Sequence, residues 1–176
     1  MDPRLHHVQG KTELVTTTVG LLTEFYTEKL AATIAHQAHA QVVTQYDANN
    51  TYQYIINRDE VQLTWLAKAI ADEGGSVPDS VAGQETSTSG AKRGDVRSLF
   101  DADGKESQSF IQRWRERVED MEHARHKAML RVILGETREQ QRFFEQALAG
   151  RTDLLGRRGT AAGPAQGKVL PARWIE

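Results

Sequence analysis

The sequence predicts an all-α protein, an antiparallel four-helix bundle with a long crossover loop and an extended C-terminal tail, on three observations. Long stretches run without proline and almost without glycine, apolar side chains recur every three or four residues within them, and a glycine- and serine-rich segment divides them into two pairs. With 176 residues and 39% hydrophobic content, the chain can build one ordinary core.

The first helix is expected over about Lys11 to Tyr46, where Gly20 is the only glycine. At about 100° per residue, Val15, Val19, Leu22, Phe25, Tyr26, Leu30, Thr33, Ala40 and Val43 fall on one broad face. Asp47 to Thr51 reads as a turn with helix caps. A second helix should run to about Glu73 on the stripe Tyr52, Ile56, Asp59, Leu63, Leu66 and Ile70, and end at Gly74 and Gly75.

Residues 74–105 read as the crossover, with Pro78, a Thr/Ser run from Thr86 to Ser89, Gly90 and Gly94. Within it Val96, Leu99 and Phe100 would form a helical turn or two, terminated by Asp101, Asp103 and Gly104. Asp101-Ala-Asp-Gly-Lys only superficially resembles a calcium loop, because the twelfth position is Gln112 rather than a bidentate acid. From Glu106 to Ala149 a stripe of Phe110, Trp114, Val118 and Met121 extends onto Ala124, Ala128 and Val132, while Met129, Ile133 and Phe144 lie at a shifted angle. A straight helix of that length would span roughly 66 Å, so a break is expected near Asp120 to His123. Residues 11–149 thus form the bundle, 1–10 an N-terminal arm and 150–176 a tail. In that tail Leu170, Trp174 and Ile175 are the candidate anchors, and Arg157 and Arg158 the candidates for touching an acidic partner.

Composition narrows the functional classes. A formal charge of -2 supplies no global basic field for nucleic acid or anionic membranes. The basic run around Arg113, Arg115, Arg117, Arg125 and Arg131 is interleaved with Glu116, Glu119, Asp120 and Glu122, which suits a solvated, salt-bridged face. The absence of cysteine excludes disulfides and thiolate chemistry and fits a reducing compartment, so a cytoplasmic location is expected. No stretch approaches the roughly 18 apolar residues of a membrane span, and Met1 to Gly10 reads as neither signal peptide nor anchor. No phosphate-cradling glycine loop and no G-x-S-x-G occurs.

Two motifs carry a resemblance. The second helix reads Arg58-Asp59-Glu60-Val61-Gln62-Leu63, and the last reads Leu134-Gly135-Glu136-Thr137-Arg138-Glu139-Gln140. In order and size of helices, with a crossover between the pairs, the chain resembles the ferritin-like and rubrerythrin-like bundles. That resemblance implies a pair of metal ions held by Glu-x-x-His on the second and fourth helices and by one acid on each of the others. Leu63 stands where a ligand histidine would be, and the last helix also lacks one. Glu24 and Glu28 lie off the first stripe, and Glu116 and Glu119 face away from Trp114.

His36, Asp59 or Glu60, His126, Glu136 and Gln140 remain on or beside core stripes, where polar groups need partners, and are expected to meet one another. Two readings follow. One is a non-catalytic scaffold or accessory subunit, without cofactor, acting as a homodimer or within a larger protein assembly through its tail. The other is an oxidase or storage protein whose variant centre of His36, Glu60, His126 and Glu136 binds iron, manganese or zinc. The pairs His36/His39 and His123/His126 have a spacing that can bind metal, although helical histidines without acidic partners are more often surface or interface residues.

Overall fold

A computed structural model describes residues 17–78 and 95–156. These residues form four helices and no strand: α1 (Thr18–Val42), α2 (Tyr46–Asp72), α3 (Val96–Glu119) and α4 (Ala124–Leu148). None of the four is long and apolar enough to cross a membrane. The arm at 1–10, residues 79–94 of the crossover and residues 157–176 of the tail, including Arg157, Arg158, Leu170, Trp174 and Ile175, lie outside the described residues.

Local chemistry sets the helix boundaries. Thr17 caps α1 by accepting a hydrogen bond from Gly20 N–H (3.2 Å), and Asp95 caps α3 by accepting from Ser98 N–H (3.2 Å). At the end of α2, Gly74 adopts φ +77°, a conformation that costs a side-chain-bearing residue strain. Its N–H donates to Ala71 C=O while that of Gly75 reaches back to Ile70 C=O, so the last carbonyls of the helix are satisfied. Gly75 is constrained by space as well, since a Cβ there would lie 2.4 Å from Val19 Cγ2 and 3.0 Å from Ile70 Cγ2. We therefore expect Gly75→Ala to destabilise the fold by about 1–2 kcal/mol in urea unfolding; an unchanged midpoint would mean that Val19 yields without cost.

Several expected boundaries move, beginning with α1, which starts at Thr18 rather than Lys11. α1 stops at Val42 rather than Tyr46, and Asp47 to Thr51 lie inside α2 instead of forming the turn. The turn is Val43 to Gln45, and Asn49 Nδ2 donates to Ala40 C=O across it (3.1 Å), so the asparagine holds the corner from within the helix. More consequential, Val96 to Phe100 is the first turn of a continuous α3, and Asp101, Asp103 and Gly104 do not end it. The apolar faces of Val96, Leu99, Phe100, Phe110, Ile111 and Trp114 form one buried stripe, and its tertiary contacts outweigh the weak helix propensity of the intervening residues. The break at Asp120 to His123 is present, between α3 and α4. Ala124, Ala128 and Val132 are exposed and do not carry the stripe onward; Leu130, Ile133 and Phe144 do.

α1 packs chiefly on α2 and α3 chiefly on α4. The core has two apolar clusters. The first gathers Leu22, Phe25, Leu66, Ile70, Phe110, Trp114, Val118, Leu130 and Ile133. Trp114 is its largest member, edge-on to Phe25 at 4.7 Å, with the Arg117 guanidinium 4.0 Å over its ring and its Nε1–H donating to Glu28 (3.0 Å). The second gathers Ala40, Val43, Tyr52, Ile55, Ile56, Val96, Leu99, Phe100, Phe144 and Leu154, so the start of the tail packs on the body. Each fully buried aliphatic or phenyl side chain contributes about 1.5–3 kcal/mol. Of the α3 arginines, Arg113 and Arg117 are salt-bridged, chiefly across helices to Glu28 and Glu24 on α1.

Candidate functional site

Between the two apolar clusters every helix contributes buried polar residues. They are Lys29, Thr33 and His36 from α1, Asp59 and Gln62 from α2, Asp103 and Ser107 from α3, and Thr137 and Gln140 from α4. Thr33 and Thr137 return their hydroxyls to the carbonyls of Lys29 and Ile133 one turn back, which removes them from the chemistry. Lys29, His36 and Gln140 centre on the carboxylate of Asp59, and Asp103 is a second centre.

Asp59 is fully buried, and three donors converge on it. Lys29 Nζ lies 2.6 Å from Oδ1, Gln140 Nε2 donates to the same oxygen at 2.6 Å, and His36 Nδ1 lies 3.1 Å from Oδ2. Burial opposes ionisation of Asp59, but the Lys29 charge and the hydrogen bond from His36 outweigh it and lower the carboxyl from its ordinary value of 3.8 to about 2. An ionised carboxylate only accepts, so His36 carries its ring proton on Nδ1. Asp103 is the second centre. Its Oδ2 accepts from Tyr52 O–H (2.5 Å) and from His39 Nδ1 (2.9 Å). Its carboxyl is likewise held below the ordinary value, burial being outweighed by the bond from His39 and the nearby His36. The same burial together with Asp103 pushes the Tyr52 phenol well up, so it remains a donor.

The four residues expected to hold a metal are distributed rather than gathered. His36 belongs to Asp59; Glu60 accepts from Gln37 Nε2 (3.2 Å); Glu136 is bound by Arg58 and by Gln62; and His126 Nε2 lies 2.9 Å from Glu73. Among the described residues no three of them form a cluster of metal-ligating atoms. The expectation that the inward polar groups meet holds for His36, Asp59 and Gln140, and fails for His126 and Glu136. Lys29, Asp103, Tyr52 and Glu73 are the partners sequence reasoning missed. No protein-family model, curated protein or solved structure matches this chain.

The donor chemistry of the belt does not fit a di-metal centre. Asp59 Oδ1 is already shared by an ammonium and an amide N–H, and a divalent cation placed there would face the Lys29 charge at short range. Asp59 is paired with a cation belonging to the chain itself. Lys29 is 2% exposed, so the pair is shielded from water on both sides.

Proposed function

We propose that the chain is a non-catalytic scaffold or accessory subunit of ferritin-like topology, acting through dimerisation and through docking of its tail in a larger assembly. The observation that carries this reading is the internal Lys29–Asp59 pair, which closes the middle of the core with its own charges. Topology supports it too. Along α1 and α4 the chain passes from the first apolar cluster through the polar belt to the second, and along α2 and α3 it passes the other way. Antiparallel neighbours within each pair, with a crossover joining two helices of the same direction, is the ferritin-like order.

A surface for self-association is available on α2 and α4. Val61 and Trp65 sit one turn apart on α2, 44% and 38% exposed, and Val132 on α4 is 50% exposed. These helices meet through Arg58 and Glu136, so the apolar residues flank an established contact. Sedimentation equilibrium of the full chain should return twice the chain mass, and Val61→Glu should weaken the dimer at least tenfold by burying an unpaired charge. A wild-type chain that stays monomeric at high concentration would sink the dimerisation reading.

A further inference from the structure

We infer that Glu73, His123 and His126 form a zinc site that clasps the end of α2 to the start of α4. The acid that meets the pair His123-Ala-Arg-His126 is not one of its sequence neighbours Glu119, Asp120 and Glu122 but Glu73, fifty residues upstream. Glu73 follows the last turn of α2, immediately before Gly74 turns the chain away, so its carboxylate is delivered to the opening of α4. Its Oε1 lies 2.9 Å from His126 Nε2 and 3.6 Å from His123 Nε2, and the three ligating atoms fall within 4.8 Å of one another.

Those separations match what the ion requires. Ligand atoms set about 2.0–2.2 Å from a tetrahedral zinc are roughly 3.3–3.5 Å apart, so small shifts of the three side chains centre them on one point. Two imidazoles and one carboxylate are a donor set suited to zinc among divalent ions, and they leave a fourth position for water or another ligand. Of the three ligands, His126 also lines a groove with Trp65, Lys68, Asp72, Arg125 and Met129. The site differs in kind from the polar belt, because the partners of Glu73 among the described residues are two histidine nitrogens rather than a lysine and an amide.

Two adjustments accompany binding. The imidazoles stack at 3.8 Å with planes 18° apart, so their lone pairs run side by side and one ring must tilt. His123 is the ring able to do so, being 41% exposed on the residue that precedes the helix, whereas His126 is 4% exposed and held. His123 Nδ1 also caps α4 by accepting from His126 N–H (3.3 Å), and ligation through Nε2 puts the ring proton on Nδ1. The cap is therefore given up for a coordinate bond, a small loss beside the binding free energy of a zinc ion.

The test uses the metal-free full chain and zinc alone, read by native mass spectrometry and by thermal unfolding. One retained zinc is expected, with a rise in Tm of about 5–10 °C when free zinc is about 100-fold above Kd. His123→Asn keeps a capping side chain while removing the ligand, and Glu73→Gln keeps the shape while removing the charge. Each should weaken zinc binding at least tenfold and leave the metal-free Tm within a few degrees of wild type. Absence of a one-to-one complex would overturn the inference, as would zinc binding that both variants retain at full strength, which would place the ion on other histidines such as His6 and His7.

Discussion

Lys29→Met should cost about 3–5 kcal/mol of unfolding free energy, Asp59→Asn about as much, and the two together much less than their sum. The reason is the burial of both partners, 2% and 0% exposed, at 2.6 Å. Removing the ammonium leaves Asp59 with two neutral or weak donors, His36 and Gln140, in a site with no access to water. Removing the carboxylate charge strands a buried ammonium, which is no cheaper. In Lys29→Met/Asp59→Asn neither charge remains, methionine fills the lysine stem's volume, and the asparagine carbonyl can accept from His36 Nδ1–H. Turning the Gln140 amide then satisfies the asparagine N–H, so a residual cost of about 1 kcal/mol is expected. Urea unfolding of the four proteins gives the coupling directly. Strictly additive costs, or single substitutions each below about 1 kcal/mol, would show that the pair does not hold the middle of the core.

The same residues explain how far the sequence can be read. The four helices and the break at Asp120 to His123 follow from periodicity and punctuation, because those signals depend only on local geometry. Lys29 was also within reach. The buried positions of α1 are Leu22, Phe25, Lys29, Thr33, His36 and Ala40, and position 29 completes their three-and-four spacing. Leu30 reads as the core residue because it is apolar, yet it is only half-buried and the lysine beside it goes inside. A charge enters a core only when a partner meets it, and that partner, Asp59, is thirty residues away on another helix.

Asp103 was hidden for a different reason. Asp101, Asp103 and Gly104 together look like a stop signal, and local propensity gives no hint that Tyr52 and His39 wait for a carboxylate at that register. The acid for His123 and His126 is likewise invisible, since only the packing of α2 beside α4 brings Glu73 to them. Pairings between helices depend on register and on the direction of the crossover, and neither is written in the hydrophobic pattern of a single helix.

Acid should expose the contribution of Asp59 as a loss of stability confined to low pH. Its folded value of about 2 lies below the ordinary 3.8, so the folded chain binds the proton less readily than the unfolded one. The stabilisation is therefore fully present above about pH 4, declines as pH falls through the interval between the two values, and is gone below about pH 2. A separation of that size corresponds to about 2–3 kcal/mol. Asp103, also shifted down, adds to the loss in the same direction. Glu24 is shifted down by Arg117 as well, but its pair is exposed to solvent and salt and contributes little. Urea midpoints measured at pH 5, 4, 3 and 2 should fall steeply over the last three, and the fall should be shallower in Lys29→Met/Asp59→Asn, where this position no longer titrates. If the double variant loses stability with acid as steeply as wild type, the proton is taken up elsewhere, and the Lys29–Asp59 pair is not what makes the closed core sensitive to acid.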